Sequence, residues 1–164
     1  MNSTVLHGYA RMNLLDELHA AIKKGAHLND KDSVGATPLH YAVAEKNADV
    51  VDLLLAHDAD VTVQDKDGKT ALHYAIEHKL YSVADALLRK NQAIVAISDK
   101  FGNEPLWTAA FNVKGNYDLV SLLLRYGADP GHRNNVNLTP LDIPKRKGDD
   151  ALLRILQSGK PHQS

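Results

Sequence analysis

Nine histidines and a few closely spaced carboxylates are the residues of this 164-residue chain with the means to do chemistry. Zinc ligation from a helix needs two imidazoles on one face, as H-x-x-x-H or H-E-x-x-H supplies. His19, His27, His57, His78, His132 and His162 show neither spacing, and the chain has no cysteine for a thiolate site or a disulfide framework. Asp65 and Asp67 resemble an acid–base pair, but they lead into Gly68 with Lys66 and Lys69 between and beside them, the pattern of a solvated hairpin tip. Lys145-Arg146-Lys147 has the charge to hold phosphates. Asp149 and Asp150 follow at once and no aromatic residues interleave for base stacking, so the run reads as a solvated face. The loops G-x-S-x-G, G-x-x-x-x-G-K-S/T and G-x-G-x-x-G after a strand are absent. The sequence therefore predicts no catalytic residue, no metal, no cofactor and no nucleic-acid partner.

The net charge of −1 and pI near 6.7 give no overall attraction to polyanions. No apolar run approaches the roughly 18 residues of a membrane span, and no basic segment followed by an apolar one opens the chain. The expectation is a single cytoplasmic domain over residues 1–164, with no membrane partner.

What positions these residues is a repeat. Thr37-Pro38-Leu39-His40-Tyr41-Ala42 returns as Thr70-Ala71-Leu72-His73-Tyr74-Ala75, as Glu104-Pro105-Leu106-Trp107-Thr108-Ala109 and as Thr139-Pro140-Leu141-Asp142-Ile143, at intervals of 33, 34 and 35 residues. Thr4-Val5-Leu6-His7 is a degenerate copy 33 residues before the first. The second half of the unit stays in phase: Leu18 pairs with Val51, Ile22 with Leu55 and Gly25-Ala26 with Asp58-Ala59. Physically, Asp32-Ser33-Val34-Gly35 is a turn, Thr37 an N-cap and Pro38 a first helical residue whose missing N–H costs nothing. A short helix runs from Pro38 to about Glu45. Asp49 starts a second, whose Val50, Val51, Leu53, Leu54 and Leu55 cover too wide an arc to face water. The extra residue of the third unit falls around Asn91 to Ser98, and the two extra residues of the fourth near Asn112 to Tyr117. The first and last units are polar, as terminal units of a stack must be.

A period near 33 with a T-P-L-H-x-A core resembles the ankyrin repeat. The resemblance implies an all-α repeat solenoid with units at approximately 4–36, 37–69, 70–103 and 104–138 and a C-terminal cap at 139–157. It also implies that the motif threonine and histidine bond each other and backbone in neighbouring loops, a structural role for His40 and His73, with His7 in the same slot. Protein partners of the family dock on the concave face. This makes the expected protein-binding positions Ser33, Val34, Ala36, Ala44 and Glu45 in the second unit, Lys66, Asp67, Lys69, Glu77 and His78 in the third, and Lys100, Phe101, Asn103, Phe111 and Asn112 in the fourth. The fourth unit holds both phenylalanines and the single tryptophan. Phe101 and Phe111 are expected to project as binding anchors, and Trp107, in the histidine slot, to fill the space between units.

The stretch from Gly102 to Asn112, followed by Lys114-Gly115, Leu122-Leu123-Leu124, Gly127-Ala128-Asp129-Pro130 and Asn134-Asn135, resembles the closing repeats of small stand-alone bacterial ankyrin proteins. Many of these are similar to immunity proteins that neutralise a toxin. The implied function is a non-catalytic binding module, monomeric when free, whose partner is a protein such as a toxin or effector. The alternatives are a chaperone-like assembly factor for a neighbouring enzyme, and an enzyme or nucleic-acid binder.

Overall fold

Proline and threonine start the helices where the motif places them. In the computed structural model, which describes residues 4–159, Pro38 and Pro105 each open a seven-residue helix, and Thr37 and Thr70 hold extended backbone just ahead of theirs. The described residues form ten α-helices in five successive pairs: α1 (Val5–Arg11) with α2 (Leu15–Lys23), α3 (Pro38–Ala44) with α4 (Ala48–Ala56), α5 (Ala71–Glu77) with α6 (Tyr81–Lys90), α7 (Pro105–Phe111) with α8 (Asp118–Arg125), and α9 (Asp142–Lys147) with α10 (Asp150–Ser158). Each first helix packs on the next first helix, and each second helix on the next second helix. The result is the expected two-layered all-α solenoid. No described helix is long and apolar enough to cross a membrane.

Stacking supplies the core that no pair has alone. The motif leucines Leu39, Leu72 and Leu106 are buried in the first layer, as are Leu54, Leu87 and Leu122 in the second, all within one continuous cluster. Both predicted insertions fall where the spacing put them. Gln92–Ala96 forms a 3-10 helix after α6, capped by the Asn91 carboxamide, and the loop between α7 and α8 takes up the other. Pro144 is tolerated because it lies in the first turn of α9, where its missing N–H would have no carbonyl partner within the helix.

The hairpin loops correct one expectation. Asp65 is not a solvated tip residue: it is half-buried, accepts from the Asp67 and Lys69 N–H groups at 2.8 and 3.0 Å, and takes the Tyr74 hydroxyl at 2.7 Å. Asp32 repeats this with Val34, Ala36 and Tyr41, and Asp99 and Asn134 close the next two loops on the residues two and four positions on. The tips are then joined by backbone hydrogen bonds, Lys66 N–H to Val34 O (3.0 Å), Lys100 N–H to Asp67 O (2.8 Å) and Asn135 N–H to Phe101 O (3.0 Å).

Candidate binding face

The motif histidines are structural. The His40 Nε2 lies 3.1 Å from the Lys69 carbonyl and that of His73 3.3 Å from the Asn103 carbonyl. A carbonyl only accepts, so each Nε2 carries the hydrogen and each Nδ1 is left as an acceptor. His40 Nδ1 accepts from the Thr37 N–H at 3.1 Å and sits 2.9 Å from its hydroxyl, and His73 repeats this with Thr70. His7, in the same slot of the first unit, reaches the Ala36 carbonyl at 3.0 Å. Each ring thus ties its helix start to the loop of the following unit.

Burial lowers the pKa of His40 and His73 below the ordinary 6.5, against the pull of the carbonyls they face. The unfolded chain then takes up protons first as acid is added, so the stability present above about pH 6.5 is lost as pH falls through the folded values. Glu104 works in the opposite sense. Burial raises its carboxyl above 4.5 although the His132 imidazole pulls it down, so its contribution is complete below about pH 4.5 and is lost as pH rises through the folded value. Replacing His40 or His73 by Ala should cost about 1–3 kcal/mol at pH 7.5, because the buried Thr37 or Thr70 N–H loses its acceptor, and should flatten the decline toward pH 5.5. Urea melts of wild type and both variants at the two pH values check this; wild-type stability in the variants would refute the structural role.

The fourth unit departs from this scheme. Glu104 stands in the threonine slot, is 7% exposed, and meets His132 Nδ1 at 3.2 Å through Oε1, while Oε2 has no hydrogen-bond partner. The other ring nitrogen of His132 is 3.0 Å from the Gly102 carbonyl. This histidine therefore binds backward, to the tip of the preceding loop. Trp107, half-buried against the core, occupies the histidine slot.

Among the expected contact positions, Ser33, Val34, Lys66, Asp67, Lys100 and Phe101 are exposed along the hairpin tips, and Glu45, His78 and Phe111 at or near the ends of first helices. Ala44 and Asn112 are half-buried there. Ala36 is a correction: at 6% exposure its side chain belongs to the core and its carbonyl faces His7. Three more are committed within the fold. Lys69 and Glu77 pair at 2.6 Å, both half-buried, and the Asn103 carboxamide oxygen accepts from Asn134 at 2.9 Å. Glu45 pairs with Arg11 at 3.4 Å and Lys100 with Asp67 at 2.7 Å, both exposed.

Phe101 and Phe111 are 57% and 56% exposed, and each ring lies under an ammonium, that of Lys100 at 5.1 Å and of Lys147 at 4.7 Å. Lys147 also donates to the Phe111 carbonyl. Sequence reasoning missed Val136, the most exposed large apolar residue here at 70%. The register held its signal: Val34, Asp67, Phe101 and Val136 each lie two residues after the carboxylate or carboxamide that closes their loop.

Comparison with known proteins gives a consistent picture. A family model described as ankyrin repeats in three copies matches residues 6–98 and 58–134. The chain is 28% identical over 162 residues to the transient receptor potential cation channel subfamily A member 1 of Homo sapiens, an alignment covering 93% of this chain and 14% of that protein. It is 32% identical over 139 residues to the neurogenic locus notch homolog protein 1 of Xenopus tropicalis, covering 84% of this chain and 5% of the relative. A shorter match of 45 residues, 53% identical, links 27% of the chain to 9% of a putative ankyrin repeat protein of Fowlpox virus. The chain thus spans no more than 14% of the length of these relatives.

Proposed function

Because this chain belongs to the ankyrin-repeat family, we propose that it is a non-catalytic module, monomeric when free, that binds a protein partner across its hairpin tips and first helices. Solenoids of this kind present such a face as an extended concave surface. The observation that carries the reading is the row of apolar side chains left exposed on that side, Val34, Phe101, Phe111 and Val136. Rigid rings of this kind anchor interfaces because they bury much apolar area while losing few rotamers. The resemblance of the C-terminal half to small bacterial ankyrin proteins supports a finer reading, a cytoplasmic immunity-type inhibitor that covers the working surface of a toxin.

Site-specific photo-cross-linking in the native host tests both levels. A photoreactive amino acid at Phe101 or Lys66 should capture one protein species, and the same group at the exposed second-helix residues Asp52 and Ser121 should not. Capture only from the second-helix positions would place the interface on the other side. If the captured protein has a toxic activity that the purified chain suppresses, the inhibitor reading holds; if its activity is unchanged but its folded yield rises with the chain, the assembly-factor alternative replaces it.

A further inference from the structure

A hollow of about 190 Å³ opens between α7 and α9, walled by Trp107, Phe111, Leu138 and Ile143 and rimmed by Arg146 and Lys147. Its origin lies in the register. Where the second and third units join their predecessors, a tyrosine spans the gap between first helices. The Tyr41 ring packs edge-on against His7 and that of Tyr74 against His40, both at 5.9 Å, and their hydroxyls bond Asp32 and Asp65. In the last unit the corresponding pair is Ile143 and Trp107. Thr108 holds this place in the fourth unit, and in the last Ile143 lines the hollow, which opens beside the exposed ring of Phe111.

Size and charge limit what fits. Small-molecule sites usually run to about 300–1,000 Å³, and this one suits a single bulky side chain. The rim is basic. Lys145, Arg146 and Lys147 are all exposed, and Arg146 makes no hydrogen bond or close ion pair among the described residues. The one carboxylate lining the hollow, Asp142, is already engaged: it accepts from the Thr139 N–H and hydroxyl at 2.8 and 2.9 Å and pairs with Lys145 at 3.8 Å. Lys145 and Arg146 both act on this one carboxylate, and with Lys147 they leave the rim net positive toward an incoming group.

The geometry points to a subsite for an acidic partner segment that inserts one leucine- or phenylalanine-sized side chain between α7 and α9 while its flanking carboxylates meet Arg146 and Lys147. This deepens, and rests on, the reading of the first-helix face as protein-binding. The apolar contact supplies anchoring, and the carboxylates select acidic segments over basic ones by charge.

Trp107 is the single tryptophan and lines the hollow, so its emission reports occupancy. The probe is the capped peptide Gly-Glu-Asp-Leu-Glu-Asp-Gly, which has no fluorophore of its own. It should saturate a change in Trp107 emission with a dissociation constant below about 1 mM at low salt. Peptides with serine for leucine, or lysines for the four carboxylates, should bind at least about tenfold more weakly. In the protein, Arg146→Glu should weaken binding about tenfold or more, and Ile143→Tyr, which restores the bridging ring, should block it. Circular dichroism establishes that each variant is folded; should Ile143→Tyr fail to fold, Arg146→Glu, an exposed change, decides alone. Three results would each overturn the assignment: no response to the leucine peptide at 1 mM, equal binding of the lysine peptide, or wild-type affinity in Arg146→Glu. Cross-linking from Lys66, far from the hollow in sequence and tied to the second loop, judges the binding face separately, so a failed hollow and a failed face give different results.

Discussion

Phe101→Ala and Phe111→Ala should each weaken partner binding by about 2 kcal/mol or more, roughly 30-fold, the range of interface hot spots. Both rings are more than half exposed, so stability toward urea should change by no more than about 0.5 kcal/mol. Asp52→Ala on α4 is the matched control and should leave affinity within about 0.5 kcal/mol. Asp85 on α6 is unsuitable for that purpose: it is half-buried, accepts from the Tyr126 hydroxyl at 3.0 Å and pairs with Arg89 at 2.6 Å. Titration calorimetry of the captured partner against the three variants reads the result. Early unfolding of the phenylalanine variants with normal affinity once folded would assign the rings to the fold, and lost binding in Asp52→Ala would move the interface to the second helices.

The largest effect on stability should come from Gly102→Ala. Gly102 has φ +77°, and a Cβ there would stand 2.8 Å from the Asn135 amide nitrogen and overlap its side-chain oxygen. The added methyl meets both a left-handed backbone and a neighbouring loop that cannot retreat without losing the Asn135 N–H to Phe101 O bond. Left-handed strain and a broken hydrogen bond between the tips together cost about 2–4 kcal/mol. Gly115, in the loop between α7 and α8, separates the two effects. Its φ is +81° and a Cβ added there would meet nothing within 4 Å, so Gly115→Ala should cost only the strain, about 1 kcal/mol. Equal losses in the two urea melts would show that contact between the tips contributes nothing.

Most of this architecture can be read from the repeat because the motif fixes local events: a capped start, a proline at the first turn, a leucine aimed into the stack. The same register locates Phe101 and would have located Val136, since both follow the loop-closing residue by two positions. What escapes the sequence depends on residues that meet only after folding. Ala36 reads as a tip residue and is buried, its carbonyl met by the His7 ring from 29 residues earlier. The partnership of Glu104 with His132 spans two loops and replaces the threonine–histidine pair that the motif would have placed there. The hollow beside Trp107 is lined by Ile143, 36 positions later, a meeting of two first helices that no local pattern contains.

The direction of the histidine contacts bears on how the chain is made. His7, His40 and His73 each reach a carbonyl 29 or 30 residues later, so on the ribosome each of these helices completes its histidine contact only once the hairpin loop leading into the next first helix has been synthesised. The Trp107 side chain makes no such hydrogen bond to a later loop, while His132 reaches back to Gly102. At the histidine slots the nascent solenoid would therefore wait on residues still to come through three units, and at the fourth be joined from behind.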